Sequence, residues 1–128
     1  MANWTPQSFV GRMFLTTASH LMSDGPPPGV KPPPLWGTEE RLRELFGDGI
    51  IDLVVERREC VFRYRSPEPW LEFFRACFGP TKVAFESLGD EADAFAEELL
   101  GLARSFNRGG ERAMIVPAEY VEVLATRA

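Results

Sequence analysis

Residues 50–64 read IIDLVVERRECVFRY, and this stretch decides the fold class. Its apolar residues alternate as they do in a half-buried strand, with one side chain in two pointing to each face. The parity changes along it: Ile51, Leu53 and Val55 share one face, whereas Cys60, Phe62 and Tyr64 share the other. One extra residue would reconcile the halves, so a bulge or break is expected between Glu56 and Glu59. A second strand is expected at about 113–126, around Tyr120, Val121, Val123 and Leu124. Pro117 lacks a backbone N–H and should confine its regular pairing to the part that follows. Antiparallel pairing of the two is the simplest arrangement.

Working outward, the rest of the chain reads as helix. Thr5 as N-cap with Pro6 at the first helical position opens a helix to about His20, whose apolar positions are Phe9, Val10, Met13, Phe14 and Thr17. Thr38 opens a second, with Glu39 and Glu40 against the positive end of its dipole, Leu42, Leu45 and Phe46 inside, and Gly47 as the stop. Ser66-Pro67 opens a third, with the stripe Trp70, Leu71, Phe74, Cys77 and Phe78, ended by Gly79-Pro80. A short helix over Val83–Leu88 precedes a longer one from Asp90, carrying Phe95, Leu99, Leu102, Ala103 and Phe106 and stopped by Asn107-Arg108-Gly109-Gly110. The expected fold is therefore α+β: a small antiparallel sheet of two main strands packed with about five helices. One domain covers 1–128, divided into a first helix through 22, a Pro-rich connector at 23–36 and a strand–helices–strand unit at 37–128. The prolines of the connector forbid helix and central strand and favour a stiff polyproline spacer over an SH3- or WW-type ligand, pinned to its own domain by Leu35 and Trp36.

Composition narrows the function. With 128 residues, 45% hydrophobic, the chain is long enough for a real core, and its net charge of −5 comes from interspersed acids and bases. Such a surface does not track phosphates, so nucleic acid is not an expected partner. No apolar run approaches the roughly 20 residues of a membrane span, and no basic-then-apolar leader opens the sequence, so the expected location is cytoplasmic. Cys60 and Cys77 fall within apolar patterns without a C-x-x-C partner and read as buried reduced thiols.

Motifs of catalysis fail on inspection. Gly47-Asp48-Gly49 follows a helix, precedes a strand and has Asp52 where a dinucleotide fingerprint needs its third glycine. Gly109-Gly110 leaves a helix instead of opening one. His20 is the only histidine, which excludes a multi-histidine metal site, and it reads as a solvated helix end. The pairs Glu39-Glu40 and Glu97-Glu98 read as a helix start and a solvated face. No metal ligand set, cofactor-binding residue or catalytic residue emerges.

A larger pattern does. Asn3-Trp4-Thr5-Pro6, Phe9-Val10-Gly11 and Met13-Phe14 are followed by the Pro-rich stretch, then by Leu35-Trp36-Gly37-Thr38-Glu39-Glu40 and Leu45-Phe46-Gly47. Phe62-Arg63-Tyr64-Arg65-Ser66-Pro67, Trp70, Phe73-Phe74, Gly79-Pro80 and Pro117-Ala118-Glu119-Tyr120 continue the series. Their order and spacing resemble the C-terminal half of bacterial class I S-adenosylmethionine-dependent methyltransferases of the type 11, quinone-biosynthesis-like kind. The resemblance implies a Rossmann-like fold half whose last two strands pair antiparallel, with Met1–Trp4 at the end of the family's fifth strand. It also implies that the first helix and Pro-rich segment cover the substrate, with Trp4, Phe9, Met13, Phe14 and Trp36 as pocket liners. The family's cofactor is S-adenosylmethionine, but the glycine-rich loop and ribose-binding acid that hold it lie in an N-terminal half whose motifs this sequence does not contain. The expected role is a substrate lid, inactive alone, that dimerises or completes a split methyltransferase. The missing strands should leave the last strand with an unpaired edge. The alternative is a non-enzymatic module that binds a hydrophobic small molecule between Phe9–Phe14 and Trp70–Phe78, or a protein partner.

Overall fold

The computed structural model describes residues 1–22, 25 and 27–128. Ser23, Asp24 and Pro26 of the expected connector lie outside the described residues. The elements run β1 (Ala2–Trp4), α1 (Phe9–Leu21), α2 (Glu39–Phe46), β2 (Ile50–Tyr64), α3 (Pro67–Cys77), α4 (Gly79–Leu88), α5 (Ala92–Phe106) and β3 (Met114–Arg127). The fold is α+β with a small antiparallel sheet of order β1-β3-β2. The short strand β1 has too few residues to show a period, and it pairs with β3 through Asn3 opposite Val121.

The parity change in β2 has a different cause from the expected bulge. The ladder between β2 and β3 is regular from Asp52 opposite Thr126 to Tyr64 opposite Met114, and its one irregularity falls between Ile50 and Asp52. What changes along the strand is the covered face. Even-numbered Met114, Val116 and Ala118 enter a core built by α1, α3, α4 and α5, and Phe62 and Tyr64 pack against it. Odd-numbered Val121 and Val123 enter a separate cluster on the opposite face with Leu42 of α2, flanked by Leu53, Val55 and Phe46. Opposite residues in an antiparallel pair share a face. The sheet is thus covered on one face at one end and on the other face at the other end, and each strand changes its buried parity without an extra residue.

Pro117 interrupts nothing, contrary to expectation, and sits opposite Val61. Ile115 N–H donates to Asn107 Oδ1 at 2.7 Å and its C=O accepts from Arg108 N–H at 2.8 Å. Glu119 C=O accepts from Thr5 N–H at 3.2 Å, and Val123 N–H donates to Met1 C=O at 2.7 Å. Odd-numbered residues of β3 therefore aim their backbone groups away from β2, and the missing N–H of Pro117 falls on that side. The same bonds correct the expectation of an unpaired edge on the last strand: β3 is central, and among the described residues the outer edges of the sheet belong to β1, three residues long, and β2, fifteen residues long.

Helix α1 starts later than expected because Trp4 and Thr5 are held on β3. Its N-cap is Ser8, whose Oγ accepts from Gly11 N–H at 3.1 Å and donates to Thr5 C=O at 2.7 Å. Thr38 and Gly47 cap α2 as the sequence indicates, although Leu45 is 37% exposed rather than inside. Gly79-Pro80 does not merely end α3. It opens α4, where proline in the first turn removes no helical hydrogen bond. The core these helices make is aromatic throughout: Trp70 stacks 5.1 Å from both Phe9 and Phe74, and Phe85 lies 4.9 Å from Phe95. Such pairs add about 0.5–1.5 kcal/mol each beyond their buried area. Both cysteines are free thiols and, contrary to the sequence reading, exposed: Cys60 lies on β2 and Cys77 ends α3.

Candidate functional site

Helix α1 is apolar on two flanks. Phe9 and Met13, 0% and 1% exposed, point into the aromatic core. Phe14 lies a quarter-turn away, 6.2 Å from Phe78, and with Ala18 and Leu21 forms one wall of a groove of about 390 Å³. Val30 and Pro32–Pro34 form the other wall. The groove's hydroxyls are engaged by the helix itself: Thr17 Oγ1 donates to Met13 C=O at 2.8 Å and Ser19 Oγ to Thr16 C=O at 2.8 Å. Carbon therefore dominates the surface, and the volume lies within the rough 300–1,000 Å³ range of small-molecule sites.

The Pro-rich segment is anchored at the C-terminal end of this wall. Asn3 Nδ2 donates to Pro33 C=O at 3.1 Å, and residues Pro33–Gly37 coil into a 3₁₀ turn with Pro34 and Gly37 buried. A Cβ on Gly37 would overlap the Trp4 carbonyl oxygen, so glycine alone lets the turn close on β1. Pro34 and Gly37 are buried and Leu35 is half-buried, whereas Trp36, expected to help pin the segment, is 41% exposed. On the rim, Lys31 Nζ bonds Glu44 Oε1 at 3.0 Å. Arg41 first and Lys31 second hold the Glu44 carboxyl below its usual range.

The five expected pocket liners do not meet in one cavity. Phe14 lines the groove, whereas Phe9 and Met13 are core. Trp4 packs 5.8 Å from Tyr120 beside a shallow hollow that also holds Cys60. Trp36 is 41% exposed and lines no part of the groove. The space expected between Phe9–Phe14 and Trp70–Phe78 is filled by rings in contact. Leu21 and Val30 were not read as site residues, and the first sits at a helix end where periodicity gives little signal.

A cleft of about 450 Å³ beside the start of α2 holds Arg57, which bonds Glu119 Oε1 at 2.7 Å, and Glu39, which pairs with Arg43 at 2.6 Å. His20 is not a solvated helix end: its Nε2 lies 2.6 Å from Glu98 Oε2 and its ring 5.1 Å from Phe95. The described residues contain no cluster of metal-ligating side chains and no helix long and apolar enough to cross a membrane. In the methyltransferases that the sequence resembles, adenosylmethionine is held by a glycine-rich loop that leads from a strand into a helix. Gly47–Gly49 forms a turn from α2 into β2, and Gly109-Gly110 lies between α5 and β3. These residues do not fit the cofactor.

No family model matches the chain. It is 31% identical over 112 residues to an uncharacterized protein of Mycobacterium tuberculosis, covering 84% of this chain and 40% of the relative. A second uncharacterized protein of that organism is 28% identical over 108 residues, covering 81% and 39%. Uncharacterized proteins of Mycobacterium bovis match to the same extents. The chain spans about two fifths of the length of the curated relatives it matches.

Proposed function

We propose that this chain is the substrate-covering part of a methyltransferase-type protein. In this reading the groove beside α1 receives the apolar portion of the methyl acceptor, and a separate half binds the methyl donor. The observation that carries it is the groove itself, formed by the first helix and the Pro-rich segment, the two elements that the resemblance assigns to substrate cover. The strand Ala2–Trp4, antiparallel to β3, supports it, since the resemblance expects a strand end there. The chain's own residues would bind the acceptor, orient it and exclude water, which is how positioning lowers the barrier to group transfer. None of them is assigned as a base. The setting that fits such a module is the cytoplasm.

The test has two arms. Calorimetry with S-adenosylhomocysteine should give no saturable heat with this chain alone; saturable binding would contradict the division of labour. The fluorescent probe anilinonaphthalene sulfonate should bind saturably and lose that binding in Ala18→Glu, which puts a charge in the groove wall. The same groove would serve a non-enzymatic carrier of a hydrophobic small molecule. A matching N-terminal half that forms a stable complex and restores S-adenosylhomocysteine binding supports the methyltransferase reading, and failure to form any complex favours the carrier.

A further inference from the structure

The free edge of β2 matches itself. Even-numbered residues of β2 bond to β3, so Val55, Arg57, Glu59 and Val61 aim their N–H and C=O groups outward along an unpaired edge. Pairing with a second copy about a two-fold axis perpendicular to the sheet preserves both faces and reverses the strand, so odd residues meet odd and even meet even. We infer that two copies of this chain pair through β2 with Arg58 facing Arg58 of the second copy at the axis.

Charge and apolar matching favour this register. It sets Arg57, which bonds Glu119 of its own chain yet leaves its side chain 74% exposed, opposite Glu59, 54% exposed, twice over. It also sets Val55 opposite Val61 and Val54 opposite Phe62, each twice. Arg58 faces its own copy, but each Arg58 already lies between Glu56 and Glu122 of its chain. Moving the copy by two residues, to Arg57 facing Arg57, sets Glu56 opposite Arg58 and Leu53 opposite Val61, but places Val55 against Glu59 and Asp52 against Phe62. The mixed signs that protect an edge strand from indiscriminate pairing thus meet opposite charges in either register, and the Arg58-centred one adds the apolar matches of Val55 with Val61 and Val54 with Phe62.

The half-covered sheet points the same way. On the even face, Val54 and its β3 partner Leu124 are bare, 41% and 64% exposed, because the helical layer lies over the other end. The two-fold brings the second copy's helical layer, around its Phe62, alongside Val54 on that same face. Each copy lends cover to the half-face that the other leaves open. The inference stands on the edge and the faces, and does not rest on the methyltransferase reading.

Arg58→Cys tests the register in a chain whose native thiols are removed by Cys60→Ser and Cys77→Ser. In the inferred register the two positions form a non-hydrogen-bonded pair with Cα atoms about 4.5 Å apart, within disulfide reach. Arg57→Cys in the same background is a diagonal pair at about 7–8 Å, beyond it. On non-reducing gels Arg58→Cys should form dimer at least tenfold faster than Arg57→Cys. Equal or reversed rates would overturn the register. Analytical ultracentrifugation of the unmodified chain should give a dimer, Glu59→Arg should weaken it at least tenfold, and Arg57→Glu/Glu59→Arg should restore it. A monomer at all concentrations, or dimerisation indifferent to these charges, would overturn the inference and leave the edge for a strand of another protein.

Discussion

The two flanks of α1 differ in one respect that sequence patterns do not record: one is filled and the other is not. Phe9 and Met13 look into rings packed at 5.1–6.0 Å, whereas Phe14, Ala18 and Leu21 look across an apolar groove of about 390 Å³ to a wall of prolines. Rings can rotate and fill space on the first flank. On the second, prolines held by Asn3 and Gly37 form a wall that does not collapse inward. The lesson is that an apolar position is a binding candidate when its facing wall is stiff and separately anchored.

That contrast breaks in a definite order. Trp70→Ala opens a cavity in the filled flank and should cost about 3–5 kcal/mol in chemical denaturation. Gly37→Ala pushes the Pro-rich wall away from β1 and should cost about 1–3 kcal/mol, widening the groove and weakening probe binding. Ala18→Glu should stay within about 0.5 kcal/mol of the parent in stability while abolishing probe binding, since it occupies space that nothing else fills.

The smallest effect is electrostatic and lies away from both flanks. The Glu68 carboxyl is held below its ordinary value of 4.5, first by the Ser66 side chain, then by its own backbone N–H, then by Arg104 at 3.0 Å. A depressed folded-state value stabilises the fold above the ordinary carboxylate range, and that contribution is lost as pH falls through the lowered value. Glu68→Gln should therefore flatten the acid limb of the stability curve below about pH 4.5 by about 0.5 kcal/mol or less, since solvent screens the pair. Urea melts across that range would detect it.

The α+β class, the helix caps at Thr38 and Gly47, and the strand ranges were legible because each rests on local chemistry: a hydroxyl acceptor, a residue free to take positive φ, a period of two. The strand β1 was not, since three residues carry no period, and the pairing that defines it comes from β3. The parity change in β2 was legible, but its cause was not. An inserted residue and a change of covered face write the same pattern, and only the position of α2 opposite the other helices separates them. The groove was half legible. Phe14 was named for it, whereas Phe9 and Met13 share its helical period yet face the core.

The most direct test of the account is a backbone-amide NMR titration of the intact chain with anilinonaphthalene sulfonate. The account predicts saturable shifts concentrated on Phe14, Ala18, Leu21 and Val30, with Phe9, Trp70 and Phe74 unmoved. Shifts centred on the Phe9–Trp70–Phe74 side, or no saturable shift at all, would contradict the assignment of the groove as the ligand site.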